Sequence, residues 1–242
     1  MQYLVFSDIH ANAEALEQVA DEVRSLRPDL VVSLGDVVGY GASPRECVEI
    51  VDSLSDIRVR GNHDHVAAGL EEADRFGITA RVSIEWTRRE LGPSHREKLA
   101  GYEPVASHGE CLFAHSSPLS PFEWEYVYTI AQARRILGET SERFVFVGHT
   151  HVPGVISYGD ISGCRVERSS IIQAEKGRRY LINTGSIGQP RDGVCAASFA
   201  LVEPERGRIN LRRVPYDVTS AQERIRATGL PDSLASRLVL AR

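Results

Sequence analysis

The stretch Tyr3-Leu4-Val5-Phe6-Ser7-Asp8-Ile9-His10 opens with four apolar residues and closes on an aspartate and a histidine. A continuous apolar run of this kind is typical of a strand that is buried on both faces, as in a parallel sheet. Asp8 and His10 are poor strand formers, so we expect the strand to end before them. The stretch therefore predicts a buried strand that delivers polar side chains to the edge of a sheet.

The next part of the chain repeats this alternation of apolar runs and helical patterns. Apolar residues recur at helical spacing over 13–26, and residues 30–34 form a second apolar run. Ser43-Pro44 is typical of a helix start, with a capping serine and a proline in the first turn. Residues 57–60 give a third strand. The order β-α-β-α-β predicts a sheet that begins parallel, with right-handed crossovers.

The remainder of the chain changes character at two points. Residues 66–102 are richer in helical patterns and in charge, and we expect a helical insertion that walls one side of the site. From Val152 onward, short apolar runs between turn signals predict hairpins. Residues 217–242 are expected to form a closing helical segment. The fold class is therefore α/β (α+β), a single domain over 1–242 with two packed sheets and helices outside.

Composition excludes several classes of function. The chain has 242 residues, a net charge of -5 and a pI near 5.9, so it lacks the basic surface that extended nucleic-acid binding requires. Scattered cysteines, direct entry into a strand at the N-terminus and the lack of long apolar runs predict a cytoplasmic protein without a membrane span. A homo-oligomer stays open, since the C-terminal segment could pack on the sheets or on a second copy.

Residues that can bind metals follow five of the predicted strands. They are Asp8 and His10, Asp36, Asn62 and His63, His115, and His149 and His151. In open parallel-type sheets, ligands bind beyond the carboxyl ends of the strands, so these loops are expected to meet at one edge. Taken singly, each residue has a plainer explanation as a helix cap, a turn or a surface histidine. Their joint placement favours one metal site.

The kinds of donor narrow the ion and the reaction. Imidazole nitrogen with carboxylate and amide oxygen, and no thiolate, suits Mn, Fe, Co, Ni or Zn better than Ca or Mg. The side chains other than His63 are too many for one four-coordinate ion and suit two ions that share a carboxylate. Two divalent ions would leave the site positive with an activated hydroxide between them, which suits attack on a phosphate ester.

Five motifs in this order resemble the calcineurin-like metallophosphoesterase superfamily. They are Asp-x-His at 8–10, Gly-Asp-x-x-Gly at 35–39, Gly-Asn-His-Asp at 61–64, the solitary His115 and Gly-His-Thr-His at 148–151. The compact bacterial and archaeal branch with YfcE-like phosphodiesterases is the most similar, over roughly residues 1–214. The resemblance implies a four-layer β-sandwich of two mixed sheets flanked by helices.

The resemblance also implies a role for each motif residue. The implied ligands are Asp8, His10 and His151 for one ion, Asn62, His115 and His149 for the other, and Asp36 as the bridge. His63 would contact the substrate phosphate or protonate the leaving group, with Asp64 as a supporting residue. The implied activity is hydrolysis of a phosphodiester in a small substrate, with a nucleotide as one candidate, by a hydroxide that bridges the two ions.

The aromatic residues and arginines near the motifs each allow a structural or a substrate-binding role. The aromatic residues of 116–128 either pack on the core or form a lid on which a nucleobase stacks. Arg60 and Arg191 either contact the substrate phosphate or make surface ion pairs. Gly39-Tyr40 stands where the protein Ser/Thr phosphatases of the superfamily carry Asp-Arg, which argues against that activity.

Two alternatives to a phosphodiesterase remain open. One is a catalytically silent scaffold or binding module on the same fold, and the other is a dinuclear hydrolase of another bond or a nuclease. The complete set of ligands together with His63 favours an enzyme over a scaffold. The acidic net charge disfavours a dedicated nuclease.

Overall fold

Two six-stranded mixed sheets pack face to face, with helices on their outer sides. The computed structural model describes residues 1–242. The strands are β1 (Tyr3–Phe6), β2 (Leu30–Ser33), β3 (Ile57–Arg58), β4 (Val105–His108), β5 (Cys111–Ala114), β6 (Phe144–Val147), β7 (Gly154–Gly159), β8 (Gly163–Glu167), β9 (Ile171–Gln173), β10 (Arg179–Asn183), β11 (Ala197–Glu203) and β12 (Arg208–Val214). The helices are α1 (Ala13–Leu26), α2 (Pro44–Leu54), α3 (Asn62–Ala67), α4 (Ile78–Glu90), α5 (Pro93–Ala100), α6 (Ile130–Glu139), α7 (Val218–Ala227) and α8 (Asp232–Leu240).

The strand order confirms the predicted fold class. The first sheet has the order β3-β2-β1-β11-β12-β9 and the second the order β4-β5-β6-β10-β7-β8. As predicted, β1, β2 and β3 are parallel, and β5, β6 and β10 form a second parallel set. All other ladder pairings are antiparallel. Each sheet therefore contributes parallel strands whose carboxyl ends carry the predicted site residues.

The first strand is buried on both faces, as its apolar run predicts. Tyr3 and Val5 belong to the core between the sheets. Leu4 and Phe6 belong to the core under α1 and α2. On the far side of the second sheet, α6 covers the outward residues of β6 and β10. These two helical layers and two sheets form the four layers expected, because successive strand residues point to opposite faces.

The third strand and the helix that follows it differ from expectation. β3 ends at Arg58 rather than at residue 60, because Val59 makes only an isolated bridge to the segment before β4. Asn62 begins α3, a helix that the sequence pattern did not predict. The carboxylate of Asp64 accepts the N–H of Gly61 at 3.1 Å and so satisfies a free donor at the helix start. This local capping outweighs the poor helix propensity of the first residues.

Two further differences have simple causes. β4 escapes sequence prediction because it is a half-exposed edge strand with small and polar residues. Ser43 precedes α2 as predicted, but its side chain does not cap the helix. Its hydroxyl accepts from Arg224 of α7 at 3.1 Å instead, which ties the C-terminal helices to the first sheet layer.

The C-terminal helices lie beside the loop that follows β2. Leu234 and Leu238 of α8 pack with α7 and with a group of half-buried residues that includes Tyr40 and Trp86. The N–H of Gly193 donates to Ala241 at 3.1 Å, which fixes the end of α8. No helix of the structure combines the length and the apolar character needed to cross a membrane.

Candidate functional site

The residues predicted from the five motifs come together at one edge of the paired sheets. Their loops follow β1, β2, β3, β5 and β6. None of these side chains belongs to a residue more than 7% exposed: Asp8, His10, Asp36, Asn62, His63, His115, His149 and His151. Eight polar residues buried in one place require partners, because burial of an unpaired polar group is costly.

A first cluster joins the loop after β1 to the loop after β6. Its members are Asp8, His10 and His151. The Nε2 atoms of His10 and His151 lie 3.1 Å apart, and Oδ1 of Asp8 lies 3.2 Å from Nε2 of His151. Three potential metal ligands thus face one small volume.

A second cluster lies beside the first. Its members are Asp36, His115 and His149. Nε2 of His115 lies 3.1 Å from Nδ1 of His149 and 3.3 Å from Oδ2 of Asp36. The same Oδ2 lies 3.7 Å from Nε2 of His10 in the first cluster. One carboxylate oxygen of Asp36 therefore faces both clusters, while its Oδ1 accepts the N–H of His63 at 2.8 Å.

Backbone carbonyls set the orientation of the imidazole rings. The Nδ1 atoms of three rings face carbonyl oxygens: His10 to Val38 at 3.2 Å, His115 to Leu34 at 3.0 Å and His151 to Gln189 at 2.6 Å. A carbonyl only accepts, so each Nδ1 carries the hydrogen and each neutral ring presents a lone pair at Nε2. His149 is reversed, since its Nε2 faces the carbonyl of Trp124 at 3.0 Å and its lone pair is at Nδ1.

These orientations place lone pairs against each other. In the first cluster, two imidazole nitrogens that carry lone pairs lie 3.1 Å apart. In the second, the same 3.1 Å approach requires a proton or another cation at Nε2 of His115. Oδ1 of Asp8 and Oδ1 of Asn62 are buried and have no hydrogen-bond partner. Such groups cost about 1–3 kcal/mol each when unsatisfied. A cation between the paired rings would bind the ring nitrogens and provide a partner for the buried oxygens, so the residues present fit bound metal ions.

The charges of the site also favour cations. Burial acts to raise the pKa of Asp8 and Asp36, but the neighbouring imidazoles keep both carboxyls ionised with a pKa below the usual value. Burial acts to lower the pKa of His115, yet the carboxylates of Asp36 and Asp8 raise it to about 9. Burial lowers the pKa of His149 to about 3 and that of His63 to about 4. The centre of the site thus attracts positive charge, whereas His63 is neutral near pH 7.

The backbone of the loops is strained where the clusters form. Five site residues have a left-handed backbone conformation: Asp8, His10, Asp36, His149 and His151. Such residues cost on the order of 1–3 kcal/mol each and persist only where the surroundings hold them. Here the loops hold one another, since the N–H of Asp8 donates to Gly35 and that of His10 to Asp36, both at 2.9 Å. Strain concentrated at a buried polar cluster is typical of a functional site.

Comparison with known proteins decides the family. The calcineurin-like phosphoesterase superfamily domain matches residues 1–207. This chain belongs to the calcineurin-like phosphoesterase superfamily. An uncharacterized protein of Methanocaldococcus jannaschii is 35% identical over 98% of this chain and 97% of its own length. The resemblance predicted from the five motifs is confirmed.

Solved structures of full-length relatives agree with this assignment. A metallophosphoesterase from Sphaerobacter thermophilus shares 37% identity over 100% of this chain and 99% of its own, with a TM-score of 0.87. A hypothetical protein from Pyrococcus horikoshii has the same fold, with 20% identity, coverage of 100% and 98%, and a TM-score of 0.81. YfcE, a phosphoesterase from E. coli, aligns with 17% identity over 88% of this chain and 98% of its own, with a TM-score of 0.46.

Asp64 supports the site through hydrogen bonds to three backbone N–H groups. Its Oδ1 accepts the N–H groups of Val37 at 2.9 Å and Val38 at 3.1 Å, and its Oδ2 caps α3 through Gly61. It therefore ties the loop that carries Asp36 to the helix that carries His63. The N–H donors oppose the effect of burial, which raises the pKa of Asp64.

Aromatic residues of segment 116–128 cover the second cluster. The ring of Tyr126 stacks on His149, with centroids 3.9 Å apart, and Tyr128 stacks on Tyr126 at 5.4 Å. Trp124 supplies the carbonyl that orients His149. Phe122, Tyr126 and Tyr128 are exposed on their outer sides. We name residues 122–128 the aromatic arm; sequence analysis did not foresee its link to His149, because a backbone carbonyl has no sequence signature.

The two predicted arginines lie in different places. Arg60 donates to the carbonyl of Ala100 at 2.6 Å and lies over Phe122, so its guanidinium binds protein groups and joins neither cluster. Arg191 lies at the site, since its backbone N–H donates to the carbonyl of His151 at 3.2 Å, and its charge helps to lower the pKa of His63. Arg191 donates to Oε1 of Gln189 at 3.0 Å and has no carboxylate within 4 Å.

Tyr40 and the helical insertion complete the surroundings of His63. The Tyr40 ring lies 4.7 Å from that of His10 and 4.6 Å from that of His63. The ring of Phe76, from the 66–102 segment, lies 4.6 Å from the His63 ring. A β-carbon at Gly39 would lie 2.3 Å from Nδ1 of His63, so only glycine permits this approach. Sequence analysis noted Tyr40 only as a departure from the phosphatase motif and did not predict these contacts.

Proposed function

We propose that this protein is a phosphodiesterase that uses two divalent transition-metal ions and acts on a small substrate, with a nucleotide as one candidate. The observation that carries the proposal is the position of Asp36, whose Oδ2 faces two clusters of ligand atoms. A single carboxylate oxygen between two such clusters supports a pair of ions with a shared ligand.

The proposed ligands follow the two clusters. Asp8, His10 and His151 would hold one ion, Asn62, His115 and His149 the other, and Asp36 both. The free Oδ1 of Asn62 supports its inclusion. The mixed nitrogen and oxygen donors suit Mn, Fe, Co, Ni or Zn. When bound, such ions would lower the pKa of a water to near neutrality and offset the charge of a phosphate.

His63 is proposed to bind the substrate phosphate. Its Nδ1 is buried without a partner, and its pKa of about 4 makes it a neutral donor at pH 7. A neutral imidazole donates one hydrogen bond to a phosphate oxygen. Protonation of a leaving group would require the substrate's negative charge to raise that pKa. His63 also lies near ligand atoms of His10 and Asp36, so a role as a metal ligand is a competing assignment.

The small number of cationic side chains around His63 favours a diester over a monoester. A monoester brings two negative charges to the site, whereas a diester brings one. The rings of Tyr40 and Phe76, neither of which supplies a positive charge, each lie 4.6 Å from that of His63. Arg191 is the cation that acts on His63. The proposed preference for a diester rests on the small positive charge that side chains supply near His63.

The test combines metal analysis with turnover. Metal-free protein is reconstituted with Mn, Fe, Co, Ni or Zn, and the metal content is measured by mass spectrometry. We expect two ions per chain and turnover of bis-p-nitrophenyl phosphate that exceeds that of p-nitrophenyl phosphate. Two bound ions without turnover of any phosphoester would favour the scaffold alternative. A single ion would contradict the shared role of Asp36.

A further inference from the structure

A pair of arginines lies at the mouth of the site beside Tyr40. One is Arg191, and the other is Arg237 of α8, which lies beyond the part of the chain that the superfamily domain matches. Both side chains donate to the same oxygen, Oε1 of Gln189, at 3.0 Å and 3.3 Å. Two guanidinium groups therefore converge on one neutral acceptor.

No carboxylate balances these two charges. Neither Arg191 nor Arg237 has a carboxylate within 4 Å, although Arg213 and Arg224 nearby in the fold each pair with one. Nε of Arg237 is buried and has no hydrogen-bond partner. Burial and the charge of Arg191 lower the pKa of Arg237 from its usual value. Two like charges held together in this way are stabilised by an anion between them.

Tyr40 connects the arginine pair to the reaction site. The guanidinium of Arg237 lies over the Tyr40 ring, 5.6 Å from its centroid. The same ring contacts His10 and His63. The pair is therefore one aromatic ring away from the residues proposed to bind the scissile phosphate. An anion at the pair would belong to the same substrate rather than to a separate site.

The arginine pair is held firmly in place. Leu238 of α8 is buried, and its carbonyl accepts from the thiol of Cys195 at 3.0 Å. Gly193 donates to Ala241, which links the loop after Gln189 to the end of α8. Both arginines thus extend from segments that are fixed to each other. Preorganised donors of this kind recognise an anion at low entropic cost.

We propose that Arg191 and Arg237 bind a second phosphoryl group of the substrate, next to the one that is hydrolysed. This inference rests on the proposed phosphodiesterase function and narrows its substrate class to phosphodiesters with a further phosphate. Arginine pairs suit phosphate because each fork can offer two parallel N–H groups. Arg237 is then a residue for specificity, and it takes no part in the chemical step.

The test compares two substrates that share one scissile bond. They are p-nitrophenyl thymidine phosphate with and without a second phosphate on its free sugar hydroxyl. The variants are Arg237→Gln, Arg237→Lys and the control Arg242→Gln, which removes an exposed charge from the same end of the chain. We expect the wild type to prefer the doubly phosphorylated substrate by about tenfold in kcat/KM, as for one charge-assisted hydrogen bond.

Arg237→Gln should abolish this preference, mainly through KM, while Arg237→Lys retains part of it and Arg242→Gln all of it. If Arg237→Gln lowers kcat/KM equally for both substrates, Arg237 only supports the structure. If the variant keeps the wild-type kcat/KM for both substrates, the proposal is also overturned. A second measurement does not depend on turnover. Calorimetric titration of the metal-free protein with inorganic phosphate should show binding that Arg237→Gln weakens about tenfold. If the protein hydrolyses no diester, loss of this phosphate binding in the variant still supports the pair, and unchanged binding refutes it.

Discussion

The two ligand clusters differ in what holds their histidines. In the first, His10 and His151 are oriented by carbonyls of Val38 and Gln189, which lie in buried loops. In the second, His149 is oriented by Trp124 of the aromatic arm, whose outer rings are exposed. Both rings of the first cluster are thus fixed by buried loops, whereas the second cluster has one ring fixed in this way, His115 by Leu34, and one that depends on a surface segment. Segments with exposed hydrogen bonds open at lower free energy than core elements.

The difference predicts unequal binding of the two ions. An ion in the first cluster would be held by preformed ligands, and an ion in the second would lose affinity whenever the arm moves. Partners that orient a metal ligand typically affect its affinity by about 10–100-fold. Stepwise removal with a chelator should therefore release the second ion first.

The largest effect is expected at Asp36, whose Oδ2 faces both clusters. Asp36→Asn removes the charge from the oxygen that faces His10 and His115. We expect loss of metal from both clusters and a fall in turnover greater than the roughly 100-fold that follows loss of an orienting partner. Metal content and kcat are measured on the same preparation.

Asp29→Asn is the matched control for this variant, because Asp29 precedes β2 whereas Asp36 follows it. The control should keep both ions and full turnover. If Asp36→Asn retained two ions with normal affinity, Asp36 could not be a ligand shared by both ions.

Substitution of His63 is expected to change metal content less than substitution of Asp36 does, but to lower turnover strongly. His63→Ala removes the proposed phosphate contact and should lower kcat/KM by roughly 10²–10⁴ with both ions retained. The measurement is turnover with metal analysis, and His95→Ala, which pairs with Glu49 instead, serves as control. Loss of one ion would show that His63 is a ligand with His10 and Asp36, and unchanged turnover would refute any substrate role.

The same comparison shows which parts of the site could be read from the sequence. Asp8, Asp36, His115 and the two histidines at 149 and 151 follow apolar runs directly, so their placement at strand ends needed only local pattern and sheet geometry. The strands themselves were predictable because each has an unbroken apolar core. The ligand residues of both clusters are therefore encoded next to their own strands.

The parts that escaped prediction depend on distant or backbone groups. The carbonyl of Trp124 could come from any residue type, and Arg237 reaches Tyr40 from the other end of the chain. Asn62 starts a helix because Asp64 caps it, which overrides propensity. Tertiary contacts of this kind leave no periodic signal in the sequence.

The aromatic arm is tested directly at Tyr126. Tyr126→Leu removes the ring that stacks on His149 at 3.9 Å but keeps an apolar side chain. We expect the affinity for the second ion to fall about tenfold and that for the first to stay unchanged. Competition with a chromogenic chelator, fitted to two sites, gives both constants. Tyr128→Leu, which changes a ring that does not touch His149, should have no effect; equal weakening at both sites would contradict the asymmetry.

The smallest effect is expected where the arm meets α6. Oε1 of Gln132 accepts from Tyr128 and Thr129, and its Nε2 donates to Glu125 and to the carbonyl of Tyr126. These bonds are largely exposed, so each contributes little, and Gln132→Ala should weaken the second ion only about two- to fivefold. Gln18→Ala makes the same change on α1 without such bonds and should leave both affinities intact. If Gln132→Ala weakens binding of the first ion as much as binding of the second, the arm supports the whole site. A segment that contacts only His149 should change the affinity of the second cluster alone.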